Sequence, residues 1–129
     1  MKTTLSFLLA CMSLSVLGQS QLYVLNEGRF DWGNGVIDEA PSLGVIDLAT
    51  SSYAQIASFD SIAFATDLVV QGGHGYVCLE NTVMKVDLTT GEVLHEVMLE
   101  GAQELALLDG MLYVTRGGVD PATWGPLDL

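Results

Sequence analysis

The chain has 129 residues, room for one small domain. Sixteen acidic side chains stand against four basic ones, a formal charge of −12. No basic face able to neutralise phosphates can be assembled from so few cations, which excludes nucleic-acid binding and argues against anionic membrane surfaces; a soluble, self-repelling secreted protein fits instead.

Lys2 precedes a mostly apolar run from Leu5 to Leu17. Val16 and Gly18 are small enough for the two recognition positions of a signal peptidase. Residues 1–18 therefore read as a secretory signal, cut before Gln19 or two residues later. A bilayer-spanning helix takes about 20 apolar residues, so no membrane insertion is expected once the signal is gone. The expected location is secreted, in a periplasm or at a cell surface.

Leu8-Leu9-Ala10-Cys11 resembles a lipobox, which would make Cys11 a lipidated N-terminus. The apolar run ahead of it, Leu5 to Ala10, falls short of the usual core of about 7–15 residues, and apolar sequence continues past the cysteine. The lipoprotein is the alternative. Removing 1–18 takes away Lys2 and no acid, moving the charge from −12 to −13 and leaving Arg29, Lys85 and Arg116 as the basic residues. Cys78 is then the sole cysteine, so neither an intrachain disulfide nor a Cys-based metal site is expected. In its apolar run it reads as a small buried hydrophobe.

The mature chain, 19–129, opens with Tyr23-Val24-Leu25, followed by a long excursion from Asn26 to Ser42. The Asn34-Gly35 pair is a tight-turn signal, which gives this insertion a hairpin of its own. Asp67–Val70 predicts a short strand, Gln71–Gly75 a glycine turn, and Tyr76–Leu79 a second strand rich in β-forming residues. Thr82–Leu88 and Val93–Leu99 follow as third and fourth strands, separated by Thr89-Thr90-Gly91-Glu92. Residues 93–108 contain good helix formers, and an amphipathic helix is the alternative there. The near-continuous apolar runs at 68–70 and 76–79 predict strands buried on both faces, whereas a two-layer sandwich would leave one face polar.

The chain repeats itself. Residues 65–77 align without gaps on 102–114, with Ala65/Ala102, Leu68/Leu105, Gly73/Gly110, Tyr76/Tyr113 and Val77/Val114 identical and Asp67/Glu104 acid for acid. Residues 43–53 align on 83–93, with Asp47/Asp87, Leu48/Leu88 and Thr50/Thr90 identical. Repeats of about 40 residues with four short strands each predict β-propeller blades, four-stranded antiparallel meanders. The expected units lie near 21–64, 65–101 and 102–129. That is an all-β incomplete ring of about one full blade and parts of two others, and not a well-behaved monomer in isolation.

Leu112-Tyr113-Val114-Thr115 resembles the YVTN repeat of bacterial secreted and surface propellers. Val86-Asp87-Leu88-Thr89-Thr90-Gly91-Glu92-Val93 is similar to the turn between that repeat's third and fourth strands, with Glu92 where the repeat has Lys. Leu22 to Gly28 is similar to the opening of YncE-like and DUF5074-type propellers of Bacteroidota. The resemblance covers essentially all of 21–118. It implies a seven-bladed propeller of several hundred residues, periplasmic or on the cell surface, of which this chain is an N-terminal part. Most such proteins bind a ligand or partner, and some surface members capture cobalamin beside an outer-membrane transporter. The acidic balance argues against the DNA binding of some YncE-like members. No ligand residue follows from the repeat motifs.

No nucleophile elbow, phosphate loop or zinc-helix motif is present, so no catalytic, cofactor or metal residue is expected in this stretch. Asp31, Asp38 and Glu39 lack the residue order of a calcium loop and read as a solvated acidic loop. His74 and His95 are not at ligand spacing from each other. The excursions carry the candidate contact residues: Arg29, Phe30, Asp31 and Trp32 in the first, Arg116 and Trp124 in the last. Loop aromatics on a rigid scaffold are common binding anchors; the alternative is that each tryptophan covers the end of its blade. The functional expectation is a non-enzymatic binding protein that engages a small molecule or protein through rim loops. Alternatives are a propeller hydrolase or lyase with its catalytic residues elsewhere, and a structural or adhesion module.

Overall fold

The structure, a computed structural model, describes residues 20–118 and 125–126. Cys11, the signal segment and Trp124 lie outside the described residues. Eleven strands and no helix occur among those described: β1 (Gln21–Asn26), β2 (Arg29–Asp31), β3 (Val36–Glu39), β4 (Ser42–Asp47), β5 (Ser52–Ser58), β6 (Ala65–Gln71), β7 (His74–Leu79), β8 (Thr82–Asp87), β9 (Val93–Met98), β10 (Ala102–Leu108) and β11 (Met111–Arg116). They form four antiparallel sheets, none closed: a first sheet β1-β4-β5, a separate hairpin β2-β3, a middle sheet β6-β7-β8-β9 and a third sheet β10-β11.

The helix alternative over 93–108 is corrected. β9 and β10 occupy that stretch, divided at Gly101, whose φ of 72° turns the chain. The glycine turn at 71–75 is tighter than expected. Gly72 and Gly73 alone turn the chain, with φ of 58° and 78°, while His74 and Gly75 already pair with Gln71 and Val70. A two-residue turn with both φ positive matches the twist of the flanking strands, and Asp109-Gly110 repeats it with φ of 52° and 77°.

The three larger sheets pack face to face, the middle one between the others. One core cluster joins the first and middle sheets through Leu43, Ala65, Val77, Leu79 and Val86, with Phe59 and Leu88 from the connections. A second joins the middle and third sheets through Cys78, Val83, Ala102 and Leu105. Side chains alternate along a strand. Hence Val77 and Leu79 enter the first cluster while Cys78, between them, enters the second. That is why 76–79 is a continuous apolar run. Burial pushes the Cys78 thiol above its ordinary pKa, so it stays protonated.

The recurring Tyr-Val pair obeys one rule. Tyr23 packs toward the middle sheet and Tyr76 toward the third, each facing the sheet that follows. Val77 and Val114 face the sheet that precedes. Of the acid-for-acid pair, Asp67 ties two sheets together. Asp67 Oδ2 accepts from the Leu105 N–H at 2.7 Å, tying β6 to the third sheet, while its Oδ1 accepts from the Leu68 N–H at 2.8 Å.

The repeated Asp-Leu-x-Thr is a turn device. The Asp47 carboxylate accepts from the N–H groups of Ala49 and Thr50 at 2.7 and 3.1 Å, and Asp87 from Thr89 and Thr90 at 2.8 and 2.9 Å. Such side-chain-to-backbone bonds fold the link between adjacent strands. The backbone bonds from Thr90 and Thr89 hold the Asp87 carboxyl below its ordinary range.

Candidate functional site

The first excursion builds the most distinctive surface feature. β2 and β3 pair as the expected hairpin, with Phe30 opposite Ile37 and Asp31 opposite Val36. Asp31 organises the tip. Its Oδ1 accepts from the Gly33 N–H at 2.7 Å and the Asn34 N–H at 3.2 Å, its Oδ2 accepts from Asn34 Nδ2 at 2.6 Å, and its carbonyl accepts from Gly35 N–H at 2.8 Å. Trp32 rides on this turn, 56 % exposed, with its ring edge-on to Phe30 at 4.8 Å between centroids. It displays part of its aromatic surface to solvent.

The acids of the hairpin do not converge. Asp31 holds the tip, Asp38 pairs with Arg29 at 3.4 Å, and Glu39 lines a cleft at the hairpin base. Among the described residues no three His, Cys, Asp or Glu groups stand close enough together to hold a metal. Arg116 ends β11 at the position that Asn26 holds on β1. Its Nε donates to the Glu100 carbonyl at 2.8 Å.

The cleft, about 650 Å³, lies between the first and middle sheets. Asn26, Glu27, Gly28 and Glu39 supply one side, Thr66 and Asp67 the other. Gly28 allows the close approach. Its φ is 84°, and a Cβ would fall 2.8 Å from the Glu39 carbonyl oxygen and 2.9 Å from Pro41. With both Asp67 oxygens engaged by backbone N–H groups, Glu27 and Glu39 are the carboxylates this cleft offers a ligand. It suits cationic or hydroxyl-rich groups and repels anions. Among the described residues, no histidine, cysteine or serine lines it. Sequence reasoning missed this cleft, because its walls come from segments some 40 residues apart with no shared pattern.

A second, more apolar recess of about 280 Å³ lies over β8 and β9, bordered by Tyr76, Val83, Lys85, His95, Val97 and Leu112. Among the described residues the third sheet has two strands where the middle one has four, and the recess lies beside Leu112 of the third sheet. Lys85 Nζ stands 5.8 Å above the Tyr76 ring, a cation–π distance.

The Asp31 bonds make the tip acid-sensitive. The Asn34 side chain, then the Gly33 and Asn34 N–H groups, hold the Asp31 carboxyl below its ordinary value. A depressed folded-state pKa stabilises above the unfolded value and loses that effect as pH falls through the folded pKa. The Gly33 and Asn34 amide resonances are expected to move below the ordinary carboxylate range, and not to do so in Asp31→Asn. An acid titration followed by NMR checks both.

Comparison with protein-family models and with curated proteins gives no match. No helix among the described residues is long and apolar enough to cross a membrane.

Proposed function

We propose that this chain is part of a secreted or cell-surface β-propeller of the YncE-like kind. In this reading the protein is non-enzymatic and binds a small molecule or a protein segment at one rim. The observation carrying the proposal is the face-to-face succession of three sheets under one repeated interface rule. Successive blades would be built in that way, the four-stranded middle sheet being the complete unit. The β2–β3 hairpin and the cleft at its base form the recognition surface. Trp32 and Phe30 supply the apolar contact and Glu27 and Glu39 the polar one. Secretion through residues 1–18 belongs to the same reading, as does the absence of a cofactor.

The test is a ligand screen of the full chain by saturation-transfer NMR, using mono- and disaccharides, small amines and short cationic peptides. Trp32→Ala is expected to weaken any hit by about tenfold while leaving the melting temperature unchanged. Turnover of a panel member, or binding indifferent to Trp32→Ala, would overturn the proposal.

A further inference from the structure

The tip of the β2–β3 hairpin is a third copy of a turn used elsewhere in the chain. Asp31 accepts from the N–H groups two and three residues on, Gly35 N–H donates to the Asp31 carbonyl at 2.8 Å, and Gly35 has φ of 68°. The turn after β8 is built in the same way from Asp87 to Gly91, with a 2.8 Å bond and φ of 76°. The turn after β4 shares the carboxylate bonds of Asp47 and the positive φ, 56° at Ser51. One position sets the tip apart. Where the other turns have Thr50 and Thr90, the tip has Asn34, followed by Gly35.

Asparagine ahead of glycine is open to attack by its own main chain, because glycine has no Cβ in the way. The Gly35 nitrogen bonds to Asn34 Cγ and closes a five-membered succinimide. The Cγ–Nδ2 bond breaks, the Gly35 amide proton passes through solvent to the departing nitrogen, and ammonia leaves. Water then opens the ring at either carbonyl, leaving aspartate or isoaspartate at position 34; nothing is oxidised or reduced. Space allows the closure. Both residues are exposed, and beyond the adjoining residues nothing lies within 4 Å of where a Gly35 Cβ would stand. The chain's other asparagines, Asn26 and Asn81, precede Glu27 and Thr82, whose side chains crowd the same attack.

The folded tip holds the reacting atoms back. Asn34 Nδ2 donates to Asp31 Oδ2 at 2.6 Å, Asn34 N–H donates to Asp31 Oδ1 at 3.2 Å, and the attacking Gly35 nitrogen is tied to the Asp31 carbonyl. Leaving group and nucleophile are thus anchored on one residue, and both anchors must yield before the ring can form. We propose that Asn34 is a site of spontaneous deamidation whose rate is set by this Asp31 clamp. The change is one-way. A carboxylate then stands against Asp31 where an amide donor stood, so attraction becomes repulsion, and the isoaspartyl form also lengthens the main chain of the turn. Trp32 lies inside that turn, so the modification reshapes the exposed aromatic surface. The chemistry does not depend on the ligand reading given above.

The test is incubation of the full chain at mildly alkaline pH, with fragmentation mass spectrometry reading the amide-to-acid change at each asparagine. Asp109-Gly110 can form the same ring but gives no such change. The unaltered chain is expected to convert at Asn34 ahead of Asn26 and Asn81, and Asn34→Thr to remove the conversion. Asp31→Ala, with far-UV dichroism unchanged, is expected to convert at least about fivefold faster, since charged hydrogen bonds no longer hold the amide. In urea the clamp is undone, so the unaltered chain is expected to speed up to the rate of Asp31→Ala. That arm keeps the test decisive if Asp31→Ala folds poorly. No conversion at Asn34 overturns the proposal. So does an unaltered chain that converts equally fast folded and in urea, or a folded Asp31→Ala no faster than the unaltered chain.

Discussion

Gly91→Ala is expected to destabilise the protein by about 3 kcal/mol, read from the midpoint of urea unfolding. Gly91 closes the turn between β8 and β9 with φ at 76°, a left-handed conformation costing an L-residue about 1–2 kcal/mol. A methyl group there would also collide with the Ile56 carbonyl oxygen on β5. That obstacle is backbone, which cannot rotate aside, and it belongs to the first sheet, so the substitution pries two sheets apart. The repeat supplies the control. Ser51 holds the equivalent place after β4, with φ of 56°. Ser51→Gly relieves the left-handed strain but frees the unfolded chain, and the two effects leave a change within about 0.5 kcal/mol. If Gly91→Ala is equally mild, the turn does not brace the first sheet.

Leu79→Ala is expected to cost a similar amount, about 3 kcal/mol, also by urea unfolding. Leu79 is 0 % exposed and sits in the cluster between the first and middle sheets, while its neighbour Cys78 is buried in the other cluster. With a core on each side of β7, the surroundings have little freedom to collapse into the void, which places the cost well within the range for buried leucines. Leu108→Ala, at the 61 % exposed end of β10, is expected to change stability by less than about 0.5 kcal/mol. A Leu79→Ala cost below about 1 kcal/mol would mean that the middle sheet is not buried on both sides.

Much of this order was legible because it is local and written twice. Asp47 and Asp87 align because each caps its turn with the same pair of backbone bonds. The continuous apolar run at 76–79 announced two covered faces, and the hairpin followed from Asn34-Gly35. Other features were opaque for identifiable reasons. Val93–Leu108 mixes helix formers with an apolar pattern of ambiguous period, and pairing to β8 decides it. Among Gln71–Gly75, composition could not say which two residues turn, because three glycines compete. The acidity shared by Asp67 and Glu104 was visible, but the partner of Asp67 is a main-chain N–H, which leaves no mark in a sequence. The cleft depends on Glu27, Glu39 and Asp67 meeting across two sheets, a tertiary fact without a linear signature.

None of residues 29–39 belongs to either core cluster. Among the described residues, β2 and β3 pair with each other and with no other strand, and the hairpin leaves and rejoins the first sheet at Gly28 and Pro41. Its length and tip can therefore be rewritten, by mutation or by grafting, without disturbing the stack beneath, provided the two joints keep their geometry. In such a molecule the surface free to diversify and the framework obliged to stay constant are separated along the chain itself, so new specificities can arise on it without each one having to be refolded into existence.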